Sequence, residues 1–158
     1  MAQQRTKSIS ESVRERGVIN RTWSSSIVGG LAGGIVFGVL MQSMGMLPVV
    51  ASLYGLDGVV MGWVAHLFHS IVFGLVFGGI MTMTGLRRYA TKIVPTAGLG
   101  AAYGALLWFI AAGIVMPLWL GAVGMEMPPV PNLDPMSLVG HLAYGVVLGA
   151  VFAAWYRR

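Results

Sequence analysis

Four long apolar runs, parted by short polar or proline-rich connections, divide this chain. The first covers about residues 26–46 (SIVGGLAGGIVFGVLMQSMGM), the second about 59–84, the third about 96–120 and the fourth about 136–156. Each approaches the ~20 residues that a helix needs to cross the hydrocarbon core of a bilayer. Lipid offers the backbone no hydrogen-bond partners, so the runs are expected as helices. The pattern predicts an all-α integral membrane four-helix bundle over residues 26–158, preceded by a basic arm over residues 1–25. In the arm, Ser8 followed by Glu11 matches a helix-capping pair. Gly17 and the polar run after it are expected to stop a helix early, leaving the arm mobile or lying on the membrane surface. The apolar run that follows is too long for a cleavable leader and has no small-residue cleavage site.

Composition strengthens this reading. The chain is 56% hydrophobic and only 9% charged, with a mean hydropathy of +0.78; a soluble domain carries about 25% charged residues. With no cysteine, thiolate metal sites, disulfides and thioether-linked haem are excluded. The net charge of +5 would suggest nucleic acid in a soluble protein, but the placement of the basic residues explains it differently. All ten Lys and Arg lie in the arm, in the second connection (Arg87, Arg88, Lys92) or at the C-terminus (Arg157, Arg158). The first and third connections hold only Asp57, Glu126 and Asp134. An excess of basic residues marks the cytoplasmic side, so both termini are expected inside, in the cytoplasmic membrane of a prokaryote. The expected partners are the lipid bilayer and either further copies of the chain or a larger membrane complex, with no role for nucleic acid.

The runs also repeat. HLFHSIVFGLVF from His66 aligns with HLAYGVVLGAVF from His141, and GIVFGVL of the first run aligns more weakly with GAAYGAL of the third. Two tandem two-helix units that begin on the same side form a parallel repeat. Small residues recur at every fourth position. Gly62, Ser70, Gly74 and Gly78 form such a ridge on the second run, Ser137, Gly145, Gly149 and Ala153 on the fourth, Gly30, Gly34 and Gly38 on the first, and Gly100 and Gly104 on the third. Ridges of this kind let helix backbones approach closely in lipid. The same residue interrupts the ridge in both copies: His66 in one, His141 in the other.

The three histidines are the chemical signal. His66 and His69 lie three apart, on one face of a helix. Counted from the acidic ends of their helices, His66 lies about 10 Å deep, His69 about 15 Å and His141 about 8 Å. An ionisable side chain at such depth marks a functional candidate. Three readings follow. In the first, His66 and His141 supply two axial ligands to haem b, or His66, His69 and His141 together bind Cu, Zn or Fe. In the second, neutral imidazoles hydrogen-bond across helices, or to Ser70, Ser137 or Tyr144, and only fix the packing of a structural or interaction subunit. In the third, they belong to a pathway for protons, ions or quinones in an oligomeric transporter. Met44, Met46, Met125 and Met127 fall near the acidic ends and suit Cu(I), though methionine is more often a flexible filler. Gln42 lines a polar site or bonds a neighbouring helix, and Tyr54, Trp63, Trp119, Trp155 and Tyr156 read as interfacial belt residues. The glycines of Gly29–Gly34 sit inside a span with no preceding strand, so they are no dinucleotide fingerprint. No enzyme motif stands out.

In GWVAHLFHSIVFGLVFG (Gly62–Gly78) and the later HLAYGVVLGAVF, the chain resembles a family of small prokaryotic four-helix membrane proteins, frequent in haloarchaea, with an H-x-x-H second span. The resemblance covers about residues 26–156. It implies four spans and no settled activity. Some members are labelled histidine kinases, but an ATP-binding domain has no room here and all three histidines lie in spanning segments.

Overall fold

The computed structural model describes residues 2–158, with side chains from Arg16 onward. The chain folds into α1 (Ala2–Ser43), α2 (Leu47–Ser52), α3 (Gly58–Met83), a 3-10 turn (Gly85–Tyr89), α4 (Ile93–Leu107), a π-helical stretch (Trp108–Val115), α5 (Met116–Ala122) and α6 (Pro135–Tyr156). There is no strand among the described residues. Four helices are long and apolar enough to cross a membrane: Arg16–Ser43, Gly58–Met83, Ile93–Ala122 and Pro135–Tyr156. Their outer faces are bare hydrocarbon, with Val60 70%, Phe68 58% and Val94 82% exposed. Such faces suit lipid, not water.

The first helix does not stop at Gly17, as its polar surroundings suggested, but runs unbroken through it. The hydroxyls beyond it satisfy themselves within the helix. Thr22 Oγ1 donates to Val18 O at 3.0 Å, Ser25 Oγ to Arg21 O at 2.6 Å and Ser26 Oγ to Thr22 O at 2.7 Å. With their donors used, these small side chains pack inward, and Ser25 and Ser26 are fully buried. The inter-helix packing therefore begins at Thr22, four residues before the apolar run. The capping pair expected at Ser8 and Glu11 lies outside the described side chains. At the far end Gly45, at φ 67°, takes the left-handed conformation that closes α1.

Three seams hold the bundle together. Helix α1 packs along both α3 and α6, and α6 packs along α4. In all three seams glycine meets backbone. A Cβ on Gly30 would come 2.5 Å from Ser70 O, and one on Gly74 would come 2.9 Å from Gly30 Cα, across α1–α3. Across α1–α6, Gly29 and Gly33 lie against Leu148 O and Tyr144 O. Across α4–α6, Gly100 and Gly145 face one another, Gly104 faces His141 O and Gly149 faces Thr96 O. At the basic end the core is aromatic: Phe77 packs edge-on against Phe152 with centroids 5.6 Å apart and lies 5.4 Å from Tyr103. Tyr156, expected in the interfacial belt, is buried in this core, stacked on Phe152.

Two tyrosines bridge helices that do not pack backbone to backbone. Tyr103 donates to Phe73 O at 2.9 Å and Tyr144 donates to Ser70 O at 2.8 Å. Replacing Tyr144 by phenylalanine removes one such bond while keeping the ring. We expect a loss of about 1 kcal/mol, read as a modest fall in the thermal midpoint in detergent. An unchanged midpoint would mean that the bond contributes nothing net.

Candidate functional site

Between α3 and the third spanning helix no seam closes the acidic end of the bundle, and a cavity of about 500 Å³ lies there. Its walls come from α1 (Phe37, Met41), α3 (His66, His69, Phe73) and α6 (Ser137, His141, Tyr144), with α2 and the third span completing it. The third span shapes it in a way set by its own sequence. Pro117 has no N–H to give the carbonyl one turn earlier, that of Gly113. That carbonyl accepts instead from Asn132 N at 2.8 Å, which ties the proline-rich loop to the helix. The turns just before the proline are wound as a π-helix, and their Ala111, Ala112 and Val115 line the cavity. Single π-helical stretches of this kind often mark functional sites. Trp108 Nε1 donates to Asp134 O at 3.0 Å, and Asp134 caps α6 by accepting from Ser137 N at 2.6 Å. Pro135, at the start of α6, has no N–H there to leave unpaired.

All three predicted histidines line this one cavity. Each is held differently. His66, on α3, is 7% exposed, and its Nε2 donates to Gly34 O on α1 at 2.9 Å. His141, on α6, donates from Nδ1 to the carbonyl of Ser137, one turn earlier, at 2.8 Å. His69 Nε2 shares a short hydrogen bond with the Tyr54 hydroxyl, and Trp119 packs against both rings. Partial burial pushes the Tyr54 phenol up from its ordinary value, so it keeps its proton. Phe37 packs edge-on against both His66 and His141, with centroids 5.5 and 4.7 Å away. Nothing in the sequence singled out Phe37 or Tyr54 as a neighbour of the histidines.

Compared with protein-family models, curated proteins and solved structures, the chain matches none. The chemistry of the site rests on its own geometry.

That geometry bears on each expected cofactor. Among the described residues no three His, Cys, Asp or Glu side chains are grouped to hold a metal ion, so the expected three-histidine set is not assembled as one shell. A haem between His66 and His141 would have to displace Phe37, which already touches both rings. The methionines divide likewise: Met44 and Met46 line the cavity, whereas Met125 and Met127 do not, and Met127 instead lies over Gly121. Gln42 takes the second of its two expected roles, accepting from Trp63 Nε1 at 2.7 Å.

Proposed function

We propose that this is a multi-pass protein of a prokaryotic cytoplasmic membrane that takes a small lipophilic molecule from the bilayer into the histidine-lined cavity. One observation carries the reading: a cavity of about 500 Å³, apolar over most of its wall, opens where α3 and the third span fail to pack. Its size and its few convergent polar groups are those of small-molecule sites. No Lys or Arg lines it and Asp134 stands at its edge, so an anionic headgroup has no partner there. Aromatic walls (Phe37, Phe73, Trp119, Tyr144) favour a flat ring.

The chain is read as two parallel helix-hairpin copies with cytoplasmic termini. Equivalent contacts in the two hairpins support this: Gly74 meets the first helix near Gly30 as Gly149 meets the third near Thr96, the aligned position. The cavity then sits in the outer half of the membrane.

The test uses a fluorescent lipophile, 6-hexyl-2-naphthol, which accepts energy from tryptophan. Trp119 is the one tryptophan that lines the cavity. Titrated into detergent-purified protein, the naphthol is expected to give saturable energy transfer that falls in Trp119→Phe and is carried in part by Trp63 and Trp108, which also lie beside cavity residues. A strictly linear response would count against the cavity as a binding site. An absorption spectrum and elemental analysis of the same sample supply the competing outcome. A Soret band, or stoichiometric Cu, Zn or Fe, lost in His66→Ala and His141→Ala, would replace this reading with a haem or metal site.

A further inference from the structure

A neutral imidazole carries one N–H and one bare nitrogen, and the partner of one nitrogen decides the state of the other. A backbone carbonyl only accepts. His66 Nε2, bonded to Gly34 O, therefore holds the proton, and His66 Nδ1 is left bare. His141 Nδ1, bonded to Ser137 O, holds its proton, and His141 Nε2 is left bare. Neither bare nitrogen has a hydrogen bond among the described residues. No buried side-chain nitrogen or oxygen among those residues is unpartnered, so both bare nitrogens keep accessible surface. Both residues line the cavity, and it is the open space that their bare nitrogens are taken to face.

The hydroxyls of Ser70 and Tyr144 do not offset these acceptors. Ser70 Oγ donates to His66 O at 2.8 Å and Tyr144 OH donates to Ser70 O at 2.8 Å. Both deep donors are spent on protein carbonyls. What the two histidines present to a ligand is lone pairs.

We infer that the ligand of this cavity brings a hydrogen-bond donor to one of the two bare nitrogens, His66 Nδ1 or His141 Nε2: a hydroxyl on a flat lipophilic ring, as in a quinol, and not a quinone, an ether or a fatty-acid anion. The inference rests on the cavity reading above and adds the polarity of its ligand. A bare imidazole nitrogen disfavours an analogue that lacks the donor, because the desolvated lone pair is then left without a partner.

The experiment compares 6-hexyl-2-naphthol with its methyl ether, which shares its ring, its tail and nearly its optical properties but has no O–H. Energy transfer from the tryptophans around the cavity reads both. The naphthol is expected to bind about 10-fold or more tightly, the effect of one hydrogen bond to a buried acceptor. His141→Phe is expected to narrow the gap between the two ligands, and His66→Phe combined with His141→Phe to close it. The wild-type ratio decides the matter even where His66→Phe, which also cuts the tie to Gly34, fails to fold. Equal affinities in the wild type would overturn the donor inference and leave the cavity reading standing. No saturable binding of either would overturn both. Displacement of the naphthol by dodecan-1-ol at equal concentration would show that the ring is not read, and would overturn that part of the inference.

Discussion

Gly145→Val is expected to leave little folded protein. Gly145 sits where α4 and α6 come closest, and a Cβ there would run into the backbone of Gly100 and of Gly104. Flexible side chains yield to an extra methyl group; two helix backbones do not. Overpacking costs about 1–3 kcal/mol where neighbours can adjust, and here the seam itself has to part, so we expect the upper end of that range or more. Thermal unfolding in detergent, with size-exclusion chromatography for the folded fraction, reads it. The control lies on the partner helix: Gly98 is exposed and a Cβ there meets nothing. Gly98→Val is expected to be neutral or slightly stabilising, since valine is the better helix former by a few tenths of a kcal/mol, roughly. If both variants melt alike, close glycine packing does not hold α4 against α6.

Ala112→Trp should abolish ligand binding without unfolding the bundle. Ala112 lies in the π-helical stretch of the third span and faces the cavity, so an indole there occupies space that a ligand would need. Filling existing space avoids the strain that added volume brings to a packed core. The naphthol titration is expected to lose its saturable part, a fall of at least about 10-fold in affinity, equivalent to about 1.4 kcal/mol, while the melting point holds or rises. Retained binding would place the ligand elsewhere. A collapse in stability would mean that this end of the protein is tighter than its cavity volume implies.

How much of this was legible in the sequence differs from one feature to the next. The spans were, because lipid forces long apolar runs into helices, and the run lengths set the rest. The glycine ridges were too, since spacing of four along a helix is local information, and the contacts of Gly30, Gly74, Gly100 and Gly145 follow it. Inter-helix packing begins four residues before the first apolar run. Serine and threonine read as polar, yet Thr22, Ser25 and Ser26 spend their hydroxyls on their own helix and pack as small side chains. The histidines stood out as candidates, and all three line one cavity. Their partners did not stand out. Tyr54 comes from a connection, Phe37 is one apolar residue among many, and Gly34 contributes only a carbonyl. The cavity itself is a gap between two helices, and no local pattern encodes a missing contact. The short helix α2 was also hidden. It is fixed by tertiary packing, with Leu47 wholly buried against Gly62.

The seams of glycine on backbone have a mechanical consequence. Along α1–α3, α1–α6 and α4–α6 glycines bring helix backbone against helix backbone, and close-packed interiors of this kind are nearly incompressible. The acidic end, where a cavity of about 500 Å³ stands in place of such a seam, is the compliant part. Pressure acts on void volume. Under hydrostatic load the histidine end should contract while the aromatic end keeps its dimensions, so that this small bundle behaves as a rigid stem bearing a soft cup.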